Sequence, residues 1–345
     1  MSERSLKPFS FCEERHSPKL FIVIPCYNEE EVLPQTAPLF LEELKHLISK
    51  HHVSSDSRIM FVDDGSRDAT WSIIKKISRD DERFCGISLS RNRGHQNALL
   101  AGLMTVKDLC DISISIDCDG QDDITAMEAM ICAYLDGADV VYGIRSDRVS
   151  DTAFKRITAQ GFYKLLAAMG VESIYNHADY RLMDHRAMDA LAEFKEVNLF
   201  LRGLVPLVGF ESQTVEYSRA KRISGKSHYP LFKMIGLALN GISSMSIVPL
   251  RVIAGTGTLI AILSFIGIVW SFVVAFIGQT VPGWASLMSA VFLMGGLQLF
   301  AMGIVGEYIG KIYLETKGRP RYIISDFAGE ELHATCSRQV SQTSS

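Results

Sequence analysis

Ile112-Ser113-Ile114-Ser115-Ile116 runs directly into Asp117-Cys118-Asp119-Gly120-Gln121, and this junction decides how the chain is read. The isoleucines alternate with serines at the period of two that a strand requires. Where the run ends, two aspartates one residue apart, and an amide two residues further on, supply hard oxygen donors. Such donors suit Mg²⁺ or Mn²⁺, which small carboxylate sets share with substrate phosphates. Open α/β sheets bind ligands outside the carboxyl ends of their strands. The junction therefore predicts a phosphate-directed metal site with Asp117, Asp119 and Gln121 as ligands. An isolated Asp-x-Asp is also a common solvated turn; the strand in front of this one sets it apart.

The residues upstream repeat the same design. Leu20-Phe21-Ile22-Val23-Ile24-Pro25 is a short apolar run ended by proline, the mark of a buried first strand. A helix is expected from Tyr27-Asn28-Glu29-Glu30-Glu31, whose acidic residues suit a helix N-terminus. Ile59-Met60-Phe61-Val62 reads as a second strand ending in Asp63-Asp64-Gly65-Ser66, followed by a helix with Trp71, Ile73 and Ile74 on its inner side. Residues 86–89 and 139–143 complete a set of five strands, with a further helix over 97–104. Alternating strands and helices predict a mainly parallel α/β sheet with helices on both faces. No glycine-rich phosphate loop follows the first strand, so acidic and polar strand ends must hold any nucleotide.

Composition adds the membrane. The chain has 345 residues, 48% of them hydrophobic, and a net charge of −4, with no basic-aromatic module that would suit a nucleic acid. Between Arg251 and Glu307 there is no Asp, Glu, Lys or Arg, and Gln279-Thr280 and Pro282 divide this region in two. Residues 252–278 and 284–306 each exceed the ~20 residues that cross a bilayer, which predicts a two-helix transmembrane hairpin. Its basic flanks include Arg219, Lys221, Arg222, Lys226 and Lys233 before it, and Lys311, Lys317, Arg319 and Arg321 after it. By the positive-inside rule both flanks, and the large N-terminal region, lie in the cytoplasm. Gly295, Gly296, Gly303 and Gly306 either allow close helix packing or reflect ordinary membrane-helix composition. Seven scattered cysteines without zinc spacing fit a reduced compartment. Cys118 reads as a small strand-end residue, and Asp122 and Asp123 as solvated or helix-capping.

The expected organisation is a loose tail over 1–18, a catalytic domain over 19–230, an interfacial helix over 231–250, the hairpin over 251–310 and a C-terminal tail over 311–345. The apolar stretch 198–210 reads either as a second interfacial segment or as core.

Four elements occur in order: Pro25-Cys26-Tyr27-Asn28-Glu29-Glu30, Val62-Asp63-Asp64-Gly65-Ser66, Ser90-Arg91-Asn92-Arg93-Gly94-His95 and Asp117-Cys118-Asp119-Gly120-Gln121. Together they resemble the family-2 glycosyltransferases of the GT-A fold. Ala178-Asp179-Tyr180-Arg181-Leu182-Met183-Asp184 and Arg222-Ile223-Ser224-Gly225-Lys226-Ser227-His228-Tyr229-Pro230 are similar to segments of the polyprenyl-phosphate glycosyltransferases. So is Gly306-Glu307-Tyr308-Ile309-Gly310-Lys311-Ile312-Tyr313, which matches the end of their second membrane helix. The resemblance is nearest to the bactoprenol glucosyltransferases and more distant to dolichol-phosphate mannose synthases. It departs at His228, where the family usually has Lys, and at Tyr180, which replaces Phe.

The resemblance implies inverting transfer of a hexose, glucose foremost, from a UDP-sugar donor to polyprenyl (undecaprenyl) phosphate at a membrane. Pro25, Tyr27, Asn28, Glu29, Asp64 and Asp117 would bind the nucleotide sugar; Asp117, Asp119 and Gln121 would hold Mg²⁺ or Mn²⁺. Asp119 and Asp179 would serve catalysis, Asp179 as base or, preferably, as the carboxylate that positions the acceptor. Arg145, Arg222 and Ser227 would grip the acceptor phosphate, although Arg222 also belongs to a basic cluster that anionic lipid attracts. The expected partners are the donor, the lipid acceptor and membrane lipids, with self-association left open. A processive family-2 polysaccharide synthase, the same reaction with GDP-mannose or a modified sugar, and a membrane-anchored binding protein are the competing readings. The Gln-x-x-Arg-Trp motif of the synthases is absent, and an intact acidic triplet argues against a mere binder.

Overall fold

The computed structural model describes residues 17–146, 177–197, 199–218, 248–277 and 283–329. Arg222, Ser227 and most of the 231–250 segment lie outside them. The described residues form an eight-stranded sheet. Its strands are β1 (Leu20–Cys26), β2 (Arg58–Asp63), β3 (Phe84–Leu89), β4 (Ile112–Ser115), β5 (Val140–Arg145), β6 (His177–Asp184), β7 (Ser212–Tyr217) and β8 (Ile324–Ala328). Their order is β7-β5-β6-β4-β1-β2-β3-β8. The ladders β4-β1, β1-β2, β2-β3 and β5-β7 are parallel, whereas β6 runs antiparallel to β4 and β5, and β8 antiparallel to β3. The mainly parallel α/β sheet expected of a GT-A domain is thus present, with three further strands.

Every residue of β1, β3 and β4 is buried, as parallel strands covered on both faces must be. Side-chain alternation divides the core between the two faces. Leu20, Ile22 and Ile24 join a cluster with α1 (Leu33–Ser49), α2 (Thr70–Asp80) and α4 (Ala126–Leu135). Phe21 and Val23 point the other way, toward α3 (His95–Val106), α5 (His185–Ala192) and α6 (Leu201–Leu207). Leu201, Leu204 and Val205 of α6 are buried in this second cluster, so this part of the 198–210 stretch contributes to the core.

Three local expectations are corrected. The first helix begins at Leu33, not at residue 27, with Pro34 in its first turn, and its first turn holds no acidic residue. Glu29 and Glu30 instead face the loop after β2. The Glu29 amide donates to Thr70 Oγ1 (2.8 Å), and Glu30 Oε2 accepts from the Ala69 amide (2.9 Å). The 311–345 region is more than a tail, since it supplies β8 to the catalytic sheet. Asp122 is neither solvated nor capping; it is buried, as described below.

Two helices follow, α7 (Val248–Phe276) and α8 (Trp284–Thr316). Among the described residues these are the two long and apolar enough to be candidate membrane spans. Neither candidate span is covered by the rest of the described residues. Leu263, Phe265, Trp270, Leu293, Leu299 and Phe300 are all exposed, and so much uncovered apolar surface suits lipid. Among the described residues, a Cβ placed on Gly295, Gly296, Gly303 or Gly306 would meet nothing within 4 Å, so no close helix packing at these glycines is seen there. The 33 residues of α8 extend about 50 Å, well beyond the ~30 Å of hydrocarbon. Its last turns carry Glu307, Lys311 and Glu315, the last of which is bonded to Val197 of the catalytic domain.

Candidate active site

The chain passes from β1 through β2 to β3 on one side and then crosses to place β4 on the other side of β1. That reversal opens the crevice in which doubly wound sheets bind ligands. Pairing of β1 with β4 ends at Val23–Ser115, followed by one bond from the Ile116 amide to the Val23 carbonyl (3.2 Å). Pro25, two residues on, presents its nitrogen to this same side and has no proton to donate, so the ladder cannot continue. Asp117 lies just past the point where the two strands part.

On the β1–β2 side, hydrogen bonds stitch the loops into one surface. The Asn28 amide donates to Ser66 Oγ (2.9 Å), and Asn28 Oδ1 accepts from the Arg67 amide (3.0 Å). Asn28 holds φ of 55°, a left-handed value that asparagine tolerates. Tyr27 beside it is exposed, whereas Pro25 is buried. Asp64 is buried and accepts from the backbone amides of Arg93 (2.7 Å) and Gly94 (2.9 Å). Burial raises its pKa, and these two amides pull it back. Gly65, at φ of 65°, lies so close to this loop that a Cβ would come within 2.6 Å of the Arg91 carbonyl carbon. Asp64 and Gly65 thus fasten the 91–94 loop across the pocket.

The antiparallel run of β6 completes the site. Ser115 pairs with Arg181, so two residues further Asp117 lies beside Asp179. His95, the first residue of α3, stands between the two carboxylates. Its Nε2 is 3.5 Å from Asp117 Oδ1 and 3.4 Å from Asp179 Oδ2. Burial would lower the His95 pKa, but the bond to Asp179 and the charges of Asp117 and Asp179 outweigh it and raise it. The imidazole still keeps 42% of its surface open to solvent, unlike the nearly buried Asp179.

Asp179 is enclosed by cations. Its Oδ1 accepts from Arg181 Nη2 (2.9 Å) and Arg202 Nε (3.2 Å), and its Oδ2 from Arg202 Nη2 (3.0 Å). Burial alone would raise its pKa, yet Arg202, His95 and Arg181 hold it well below the usual carboxylate range. Arg181 is almost wholly buried and also donates to the Leu201 carbonyl (3.3 Å). Two guanidiniums and an imidazole against one carboxylate leave this side of the crevice electropositive.

The other side is electronegative. Asp117 is shifted upward by burial and then by the carboxylates of Asp179, Asp122 and Asp119, with His95 opposing. Asp119 closes a tight turn by accepting from the Gln121 amide (3.1 Å) across Gly120, which is at φ of 66°. Among the described residues no three His, Cys, Asp or Glu side chains converge to enclose a metal ion. The carboxylates of Asp117 and Asp119 are nevertheless the donors that suit a hard cation taking its remaining ligands from substrate phosphate and water. Asp122 accepts from Tyr217 Oη (2.9 Å) and Arg145 Nη2 (3.5 Å). Arg145, at the end of β5, also donates to Tyr217 Oη (3.2 Å). Asp123 Oδ1 accepts from the Thr125 amide (3.0 Å) at the start of α4. Cys118 is buried with its sulfur 3.8 Å from Thr36 Oγ1, a packing position.

The structure sets Pro25, Asp64 and Asp117 at the carboxyl ends of β1, β2 and β4 and joins Asp117 to Asp179 through His95, whereas Arg145, at the end of β5, is bonded to Asp122 and Tyr217. Sequence reading assigned no role to His95, Arg181 or Arg202. His95 and Arg181 were in view as parts of recognised motifs. Arg202 had the weaker signal of being the one charge in an apolar stretch.

A mostly parallel sheet of this order, followed by two apolar helices that are candidate spans, is a GT-A-type α/β domain with a C-terminal helix pair. Residues 21–191 match Glycosyl transferase family 2, and residues 248–312 match the GtrB C-terminal hairpin. The chain belongs to glycosyl transferase family 2. It is 46% identical over 320 residues to the uncharacterized glycosyltransferase YkoT of Bacillus subtilis, covering 92% of this chain and 95% of that one. It is 40% identical over 311 residues to the bactoprenol glucosyl transferase of Shigella phage SfX, covering 89% and 98%. A prophage bactoprenol glucosyl transferase homolog of Escherichia coli is likewise 40% identical over 311 residues.

Proposed function

We propose that the chain transfers a hexose, glucose foremost, from a UDP-sugar to polyprenyl phosphate at the membrane, with inversion at the anomeric carbon. The observation that carries this reading is the polarity of the crevice. Asp117 and Asp119 crowd negative charge on one side of His95, while Arg181 and Arg202 surround Asp179 on the other. One side suits a cation with a diphosphate, the other a second phosphate. The relatives named for bactoprenol supply a lipid acceptor of that kind.

Asp117, Asp119 and Gln121 would hold Mg²⁺ or Mn²⁺, which when bound neutralises the donor diphosphate. Asp64 and the 27–29 segment would seat the nucleotide. The acceptor phosphate, with its second pKa near 6, is mostly a dianion at neutral pH and needs no proton removed. One of its oxygens attacks the anomeric carbon from the face opposite UDP, and the bond to UDP breaks with its electron pair passing to the departing phosphate oxygen. Asp179, held ionised by its arginines, is too weak a base for proton transfer and orients Arg202, which would bind the phosphate together with Arg222 and Ser227. Arg145 would contribute from its place beside Asp122.

Incubating the purified chain with a panel of nucleotide sugars and undecaprenyl phosphate tests the reading. A lipid-linked monosaccharide is expected; a polymer, or no product from any donor, would refute it.

Two narrower outcomes follow. Arg222→Ala should weaken acceptor use about ten- to a hundredfold, the worth of a charge-assisted contact, while sparing UDP binding. Asp64→Ala should do the reverse. Kinetics in neutral detergent, varying each substrate, separates them; a normal acceptor dependence for Arg222→Ala there would leave it only a lipid-attracting role.

By the positive-inside rule, the basic flanks of the hairpin would put both termini and the catalytic domain in the cytoplasm. A cysteine introduced near Ser345 should resist an impermeant thiol reagent in intact cells. Ready labelling from outside would reverse the topology.

A further inference from the structure

The end of α8 is bonded to the catalytic domain at a place that neither the donor nor the metal uses. Both carboxylate oxygens of Glu315 accept from the Val197 amide, each at 2.9 Å. Six residues beyond Glu315, Arg321 Nη1 donates to the Phe194 carbonyl (2.9 Å). The two side chains therefore hold both ends of the 194–197 segment. α6 begins four residues beyond that segment, and its first two residues complete the electropositive half of the crevice. Leu201 accepts from Arg181 through its carbonyl and donates its amide to Gln96 Oε1 (3.1 Å), while Arg202 grips Asp179. Past Arg321 the chain does not detach. The Ser90 amide donates to the Ile323 carbonyl (2.9 Å), Ser325 Oγ donates to the Ser88 carbonyl (3.0 Å), and β8 pairs with β3.

We propose that Glu315 and Arg321 are positioning residues for the acceptor half of the site, fixing the start of α6, and with it Arg202, relative to the apolar helix that emerges from the bilayer. The inference rests on the transfer reaction proposed above. Its physical logic is that a lipid phosphate lies at a depth set by the membrane. A cluster meant to meet it is best indexed to a rigid element anchored in that membrane. Helix α8 is such an element, continuous from its apolar body to Glu315. The donor half is fixed differently, through the β1, β2 and β3 loops.

The test uses the full-length chain in lipid nanodiscs with undecaprenyl phosphate. Glu315→Ala should raise the acceptor KM about tenfold, the loss expected for one charge-assisted hydrogen bond, with donor affinity unchanged. Glu315→Gln keeps an acceptor oxygen at the same reach and should recover most of the loss. Hydrogen exchange provides a readout independent of turnover. Amides of α6 should exchange faster in Glu315→Ala and in Arg321→Ala, while those of β1 and β2 stay protected. Unchanged acceptor KM with unchanged exchange in α6 would overturn the inference. So would donor and acceptor constants worsening together with a lowered melting temperature, the pattern of a merely structural contact. If instead the wild-type chain makes no lipid-linked sugar, the functional reading fails, and exchange in α6 still decides whether the brace exists.

Discussion

Asp179→Ala is expected to cost the fold about 3–5 kcal/mol and to reduce transfer by at least ~10²-fold, the two losses having separable causes. The stability loss comes from Arg181. Its side chain is 1% exposed, and even beside Asp179 burial shifts it below the ordinary arginine value. Without the carboxylate its charge stays buried with no counter-ion. Arg202 is 37% exposed and can turn to water, so it adds little to that loss. The loss in transfer comes from Arg202, which would no longer be aimed into the crevice. Replacing Asp179 by Leu and Arg181 by Met together should restore much of the stability, since buried ion pairs are often replaceable by apolar groups. It should not restore transfer. Denaturant unfolding beside turnover measurement checks both statements. Wild-type stability in Asp179→Ala, or activity in the double variant, would contradict this account.

The pH dependence of that deficit has a definite sign. The folded pKa of Asp179 is depressed, so its contribution is fully present above the unfolded value near 4 and is lost as pH falls through the lower folded value. The part of the stability gap between wild type and Asp179→Ala that comes from this carboxyl should narrow only below about pH 4. The part that comes from His95, whose pKa Asp179 helps to raise, is present below the ordinary imidazole value of 6.5 and is lost as pH rises through the higher folded value. A gap that still changed around neutrality in a His95→Gln background, where the imidazole cannot contribute, would mean that Asp179 titrates there and would revive its role as a general base.

Much of this architecture was legible in the chain because parallel strands and their carboxyl ends are local features. Residues 20–25, 59–62 and 112–116 are apolar runs closed by proline or aspartate, and all three lie in the middle of the sheet. What was not legible depends on long-range pairing. β7 is a half-exposed polar strand, Ser212–Tyr217, with little hydrophobic signal. β8 follows a hairpin that reads as the end of the folded part, so nothing nearby in sequence indicates that Ile324–Ala328 returns to β3. The site shows the same division. Asp117 and Asp119 announce themselves at one strand end, but Asp179 acquires its partners only when β6 runs antiparallel to β4 and brings α3 and α6 against it. Asp122 looked like a solvated member of an acidic run. Burial against Tyr217 and Arg145, residues 95 and 23 positions away, makes it structural. The acidic residues 29–31 looked like a helix start because their charge fits one; their bonds to the 68–70 loop place them before it.

Asp119→Ala is the second large effect expected, at ~10²-fold or more in turnover with little change in stability, the inverse of the Asp179 pattern in its second part. Asp119 is half-exposed at a turn, accepting within its own loop from the Gln121 amide. Its removal costs the fold little but takes one of two carboxylates from the side of the crevice where a cation would meet the donor diphosphate. Asp117 should then relax, because one of the charges that raises its pKa is gone. Donor affinity measured with Mg²⁺ or Mn²⁺ should fall in the variant, and donor affinity measured in chelator should be the same in variant and wild type. That equality separates loss of a metal ligand from loss of a direct sugar contact, since a direct contact would persist without metal. Asp122→Asn supplies the contrast, for it keeps an acceptor oxygen for Tyr217 while removing a charge from the same acidic run. If Asp122→Asn costs as much turnover as Asp119→Ala, total negative charge in the crevice matters and not ligation at Asp119. Full activity of Asp119→Ala in chelator would remove the metal from the mechanism altogether.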